Sequence, residues 1–318
     1  QCIYILDADL TENDIRRWAK LLEIDEDEIL VITAEPPIRE FTVNLTCTAS
    51  QKYFKTHIIE LIEQDLLLNT PCVLAVEALN TARSIEKYFK ERFPDKKIIL
   101  LHGKLPKGEI DPIIKNIQAE MASTDLLIHT CVIGTGVSIQ HEDKRFKKGY
   151  GLFSGTVLSA TECLQMLRRC RDVTTWDVTL LCRPSEMFMT SFYKDIGSIE
   201  LGKVLALDDV KSSVLMEKEQ NKSLFIHAFR NLLEEYNIKV VEQCDLPEYE
   251  MDGLVSSSEL NEEDIKELIN ATPCSLDKAE RARKLGYKNR EEMLSSTSAL
   301  LAHHYKTSRI GVEEAELE

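Results

Sequence analysis

The sequence predicts an α/β protein: a parallel β-sheet with helices on both faces, followed by a mainly α-helical C-terminal region. Three observations carry this. Short β-type runs alternate with helical patterns through about the first 185 residues, the order that a parallel sheet requires. Several of those runs are continuously apolar, as expected of strands covered on both faces. Beyond Pro184 the strand-like runs thin out and long amphipathic stretches take over.

The strand-like runs fall at residues 2–6, 29–32, 72–76, 98–102, 126–130, 151–153 and 178–181. Between them, Asn80 is placed to cap a helix whose Ala82, Ile85 and Phe89 share one face, and Pro94 lies where that helix should stop. Ile110, Ile113, Ile114, Ile117 and Met121 repeat the helical spacing. Ser159 and Glu162 form an S-x-x-E capping box that opens the helix carrying Gln165 to Arg171. In the tail, residues 210–236, 261–270 and 289–305 read as helices, and the acidic stretch 248–259, with Gly253 and three serines, reads as a linker.

Hydrophobic residues make up 43% and charged residues 29% of the 318, which excludes disorder for the bulk of the chain. No apolar run approaches the roughly 18 residues of a membrane span, and no charged-then-apolar leader opens the sequence. A cytoplasmic protein is expected, with no membrane partner. The nine cysteines show neither a C-x-x-C pair nor zinc spacing, so they are read as reduced, mostly buried thiols. The net charge of −15 runs against the basic footprint of a nucleic-acid binder. Local charge decides phosphate contact, however, and Lys144, Arg145, Lys147 and Lys148 crowd one short segment.

Two motifs carry chemistry. Residues 130–138, TCVIGTGVS, follow a strand directly. Gly134 and Gly136 allow the backbone to turn tightly against a phosphate, and the hydroxyls of Thr130, Thr135 and Ser138 can donate to phosphate oxygens. A dinucleotide fingerprint would need a third glycine where Ile139 stands, which disfavours that reading. Residues 165–171, QMLRRCR, place Gln165, Arg168, Arg169 and Arg171 on the capped helix. Guanidinium is permanently charged and forks bidentately onto phosphate; a solvated or salt-bridged basic face is the alternative.

Taken together, the order strand, helix, strand ending in Leu101-His-Gly103, strand into T-x-x-x-G-x-G-x-S, then Q-x-x-x-R-x-R resembles the second RecA-like lobe of superfamily 2 helicases over roughly residues 70–182. The chain is more particularly similar to herpesvirus-type replication-origin-binding helicases and cyanobacterial plasmid replication proteins, which share Asp7-Ala-Asp-Leu10 and the Gln-Met-x-x-Arg-x-Arg form at 165–171. The resemblance implies that Arg169, with Arg171 and Gln165, acts on ATP bound by another lobe. It implies that Thr130, Thr135 and Ser138, with Lys147 and Lys148, meet the nucleic-acid backbone, and that Gly134, Gly136, Asp7 and Asp9 serve the nucleotide side, the two aspartates coupling the lobes. Asp7 and Asp9 have a plainer alternative as a cap for the helix that follows. Arg168 stands where the family has glycine, and Arg171 falls one position short of the common spacing.

The phosphate-cradling G-x-x-x-x-G-K-[ST] is absent: residues 102–108, HGKLPKG, lack its spacing and its Ser/Thr. ATP and Mg²⁺ are therefore expected to be held mainly by an upstream lobe. The expected organisation is 1–70 as the end of the first lobe and the connection, 71–185 as the second lobe, and 186–318 as the helical region, which could bind replication proteins. The expected function is the C-terminal part of an ATP-dependent DNA helicase or translocase in plasmid, phage or viral-type replication initiation. The alternative is an inert lobe that binds nucleic acid or protein. A Rossmann enzyme would need a glycine-rich turn where Asp7-Ala-Asp-Leu10 stands. His102 and His129, each ending an apolar strand, read as packing residues.

Overall fold

The computed structural model describes residues 15, 16, 19, 23–25, 41–132, 138–181, 225–243, 257–305, 307 and 310. The strands expected at 2–6 and 29–32, with Asp7 and Asp9, lie outside the described residues, as do Gly134, Thr135 and Gly136.

The described elements run β1 (Thr42–Thr48), α1 (Gln51–Leu67), β2 (Cys72–Val76), α2 (Leu79–Arg92), β3 (Ile98–Leu101), α3 (Lys107–Lys115), α4 (Ile117–Ala122), β4 (Leu126–His129), β5 (Lys148–Phe153), α5 (Ala160–Arg169) and β6 (Thr175–Leu181). They continue as α6 (Phe225–Glu235), β7 (Lys239–Gln243), α7 (Ser257–Asn270), α8 (Leu276–Leu285) and α9 (Arg290–His304). The strands form one seven-stranded sheet in the order β3-β4-β2-β5-β6-β1-β7, with every pairing parallel. This is the α/β architecture expected of a RecA-like lobe.

Strand alternation divides the core between the two faces. One face packs Val43, Leu45, Trp176, Val178 and Leu180 against Ile117 and Met121 of α4, Leu164 and Leu167 of α5, and Phe229 of α6. The other packs Leu74, Ile128, Tyr150 and Leu152 against Ile58 and Ile62 of α1 and Ile85 and Phe89 of α2. Each such large apolar side chain contributes about 1.5–3 kcal/mol by leaving water. All five residues of β2 are buried, which is why that strand reads as an unbroken apolar run.

Two strands were not visible in the sequence pattern, and both extend the sheet outside residues 71–185. β1 carries polar residues on its second face, where Asn44 donates to Asp177 at 2.8 Å. β7 is a largely exposed strand whose sheet neighbour among the described residues is β1. Tertiary partners rather than composition make these segments strands. Asn80 is not the cap of α2: Ala78 occupies that position, and the Asn80 amide donates to Asn261 at 3.3 Å. The helical pattern from Ile110 to Met121 breaks at Asn116 into α3 and α4, and α3 contains Pro112, which lacks the N–H of a regular turn.

The tail contributes α8, which the sequence pattern did not show, and it docks on the sheet-bound helices through charge. Arg83 forks onto Asp264, with one arm at 2.8 Å, and Lys87 meets Glu263 at 2.7 Å. Arg290 donates its N–H to Glu109 at 2.8 Å and its guanidinium to Glu267 at 2.6 Å. The backbones also touch here: Gly108 donates to the Tyr287 carbonyl at 3.0 Å, and a Cβ at Gly108 would stand 2.0 Å from the Lys288 carbonyl oxygen. Among the described residues no helix is long and apolar enough to cross a membrane.

Candidate active site

The helix α5 is fixed at its start by two carboxylates. The expected capping box is present: the Ser159 hydroxyl accepts from the Glu162 N–H at 3.3 Å, and the Ser159 N–H donates to the Glu162 carboxylate at 2.8 Å. Just before it, the buried Glu77 at the end of β2 accepts from the N–H groups of Ser154, Gly155, Val157 and Leu158 and from the Ser154 hydroxyl. That turn contains Gly155 at φ +64°, where a Cβ would also strike Phe225 of α6 at 2.3 Å. One side chain thus orders the whole connection from β5 into α5.

At its other end α5 meets the segment that follows the glycine motif. The chain returning from that motif passes over the sheet with Ile139 and Phe146 in the core shared by α4 and α5. Ile139 donates to the Arg169 carbonyl at 2.8 Å and accepts from the Arg171 N–H at 2.7 Å, making a parallel bridge with Cys170. Ile139, the residue after the glycine motif, and the arginine segment thirty residues on are therefore joined through their backbones. Because α5 leads from the carboxyl end of β5 back to the amino end of β6, this junction lies on the flank of the sheet.

Thr130 is buried at the carboxyl end of β4, its N–H donating to Leu101 at 3.0 Å. Ser138 is half-buried, and its carbonyl accepts from the Gln118 amide at 2.7 Å. Gln165 and Arg169 are half-buried on α5 and Arg171 is exposed just beyond it. Arg168 lies over the Tyr236 ring, 4.7 Å from its centroid, and so serves the packing of α5 on α6. Lys147 and Lys148 stand at the amino end of β5, the opposite edge from Thr130, and Lys148 pairs with the buried Asp65 at 3.0 Å. Sequence reasoning missed Glu77, Gln118, His141 and Asp172: each owes its place to a partner distant in the chain, and no local motif marks it.

Burial pushes the His129 ring down to about 4, although its Nδ1 lies 3.0 Å from the Thr130 carbonyl. Burial, then Arg83, Arg290 and Lys104, push His102 down to about 4 as well. Both rings are therefore neutral in the fold near pH 7. Because their folded values lie below the ordinary one near 6.5, the unfolded chain binds the extra protons. Stability should be full above about pH 6.5 and fall toward pH 4, with the buried His129 accounting for up to about 3 kcal/mol of the loss. Denaturant midpoints measured across that range check this, and His129→Gln should flatten the curve.

Of the six described cysteines Cys72, Cys163 and Cys170 are buried, and burial raises all three thiols, while Cys47 and Cys131 are exposed. No cluster of three or more His, Cys, Asp or Glu among the described residues could hold a metal ion.

No family model matches the chain. Over 156 residues it is 28% identical to a protein of African swine fever virus (isolate Pig/Kenya/KEN-50/1950) named for a helicase/primase complex, covering 49% of this chain and 14% of that protein. Over 120 residues it is 29% identical to the ATP-dependent DNA helicase RecG of Aquifex aeolicus (strain VF5), covering 35% of this chain and 14% of RecG. Among solved structures, Dbp5 of S. cerevisiae bound to RNA and ADP BeF3 is 16% identical, with 67% of this chain and 54% of that one covered at a TM-score of 0.41. A superposition of that quality adds nothing to the topology described above. The chain spans only 14% of the length of either sequence relative, and over the matched residues it is helicase-related.

Proposed function

We propose that this chain supplies the arginine-bearing side of an ATP-dependent DNA helicase or translocase that acts in replication initiation of plasmid, phage or viral type. The observation that supports the reading is the backbone junction of Ile139, the residue after the glycine motif, with Arg169 and Arg171. In this reading Arg169 and Arg171 place positive charge against the terminal phosphate of ATP held by a second lobe, and Gln165 lines the same surface. ATP and Mg²⁺ are bound mainly by that second lobe, because the G-x-x-x-x-G-K-[ST] loop is absent here. Thr130, Thr135 and Ser138 contact the strand backbone, so sequence preference is small. Gly134 and Gly136 let the loop approach, and Asp7 and Asp9 couple the lobes. Lys147 and Lys148, at the amino end of β5, add positive charge for the same nucleic-acid backbone. We place the connection between lobes before β1, because β1 already belongs to this sheet. DNA and replication rest on the family resemblance together with the named helicase relatives.

The net charge of −15 and the missing phosphate loop favour a second reading, an inert lobe that binds nucleic acid or a protein partner. The isolated chain should show no ATPase activity above background, with or without single-stranded DNA. Turnover that persists through repurification and depends on a residue of this chain would overturn the two-lobe reading. Activity that appears when the phosphate-loop lobe is added separates the proposal from the inert alternative.

A further inference from the structure

The hold on the segment returning from the glycine motif is polar on both sides. Asp172, itself buried, accepts from the His141 N–H at 2.6 Å through one oxygen and lies against His141 Nδ1 with the other. On the opposite side, His141 Nε2 is 3.1 Å from the Gln118 carbonyl oxygen. The Gln118 side chain then straddles the segment, donating to the Ser138 carbonyl at 2.7 Å and accepting from the Gln140 N–H at 3.1 Å. One imidazole thus ties α4, the returning segment and the arginine segment together. A carboxylate and a carbonyl can only accept, so the ring that satisfies both contacts donates from both nitrogens, which the doubly protonated form alone can do.

We infer that His141, held as a charged ring between Asp172 and the Gln118 carbonyl, is a positioning residue that fixes Arg169 and Arg171 relative to the glycine motif. The inference rests on the function proposed above for those arginines. Asp172 begins the connection into β6 and sits three residues from Arg169, while the bridge through Ile139 makes any shift of His141 a shift of the Arg169 carbonyl and the Arg171 N–H. The charged groups around the ring are few. Asp172 faces it from the arginine segment, Glu142, Asp143 and Lys144 follow it on its own loop, and Arg145 turns away to the Met121 and Thr124 carbonyls. From α4 it meets the Gln118 carbonyl, and the Phe146 ring stands edge-on at 6.2 Å between centroids. The clamp is complete while both ring nitrogens donate.

The test uses two measurements. In the protein joined to its phosphate-loop lobe, His141→Ala and Asp172→Asn should lower kcat for ATP about 10–100-fold and leave KM within about twofold, as expected when a group acting in the transition state is misplaced. Nitrogen spectra of the His141 ring, recorded on this chain without substitution, should show both nitrogens protonated at about pH 6, within the histidine range. A ring with one bare nitrogen there overturns the inference whatever the ATPase assays give. So does a folded His141→Ala with unchanged kcat beside an Arg169→Ala that has lost it, a result that leaves the proposed function standing. If Arg169→Ala also keeps its kcat, the function falls and the inference falls with it.

Discussion

Arg169→Ala, in the protein that includes the phosphate-loop lobe, should cut kcat for ATP by about 10³-fold or more while strand binding stays nearly intact. A permanently charged guanidinium that meets the terminal phosphate only as the lobes close stabilises charge developing in the transition state, so its loss should appear in kcat rather than in KM. Structure supports the placement through the main chain, since Arg169 ends α5 with its carbonyl tied to Ile139 at 2.8 Å. Arg168→Ala is the internal control. Its guanidinium already lies over Tyr236, so that substitution should cost packing between α5 and α6 and leave kcat much closer to normal. Steady-state ATPase rates and DNA affinity for both variants decide the matter. An Arg169→Ala protein that keeps its rate and loses DNA would make α5 a binding surface, and the inert-lobe reading would then be the better one.

Glu77→Ala should destabilise the fold by about 3–5 kcal/mol, a loss on the scale of breaking a buried charged network. The carboxylate is 4% exposed and accepts from four main-chain N–H groups and one hydroxyl in residues 154–158. Each donor left buried without an acceptor costs about 1–3 kcal/mol, and partial opening of the turn to water keeps the total below the sum. Glu77→Gln retains the shape and one accepting oxygen, so it should fall between the natural protein and Glu77→Ala. Chemical denaturation provides the measurement, and a cost under about 1 kcal/mol, the level of an ordinary net hydrogen bond, would mean that Gly155 and the Ser159 cap hold the turn without Glu77. Because the same turn launches α5, Glu77→Ala should also degrade ATP turnover.

The parallel sheet was legible wherever a strand is buried on both faces. β2, β3 and β4 are runs such as CVLAV and LLIH whose apolar character does not depend on any partner. The capping box at Ser159 and Glu162 was legible for a different reason, because its partners lie three residues apart and local chemistry is enough. β1 and β7 were not legible. Asn44 in β1 is stable in a sheet because Asp177 is opposite it, and β7 exists because β1 offers a free edge.

By itself the sequence determined the α/β class, the glycine and arginine motifs, and the absence of the G-x-x-x-x-G-K-[ST] pattern from these residues. These are local or compositional properties, fixed by neighbours in the chain. Only the tertiary structure decided that Ile139 bridges to the arginine segment on the flank of the sheet, that Lys148 pairs with Asp65, and that Glu77, Gln118, His141 and Asp172 tie these segments together. The physical reason is common to all of them. A buried carboxylate or imidazole is placed by the partner that satisfies it, and those partners lie more than twenty residues away in every case but one within Gln118's reach of Ser138, at exactly the separation that sequence patterns do not encode.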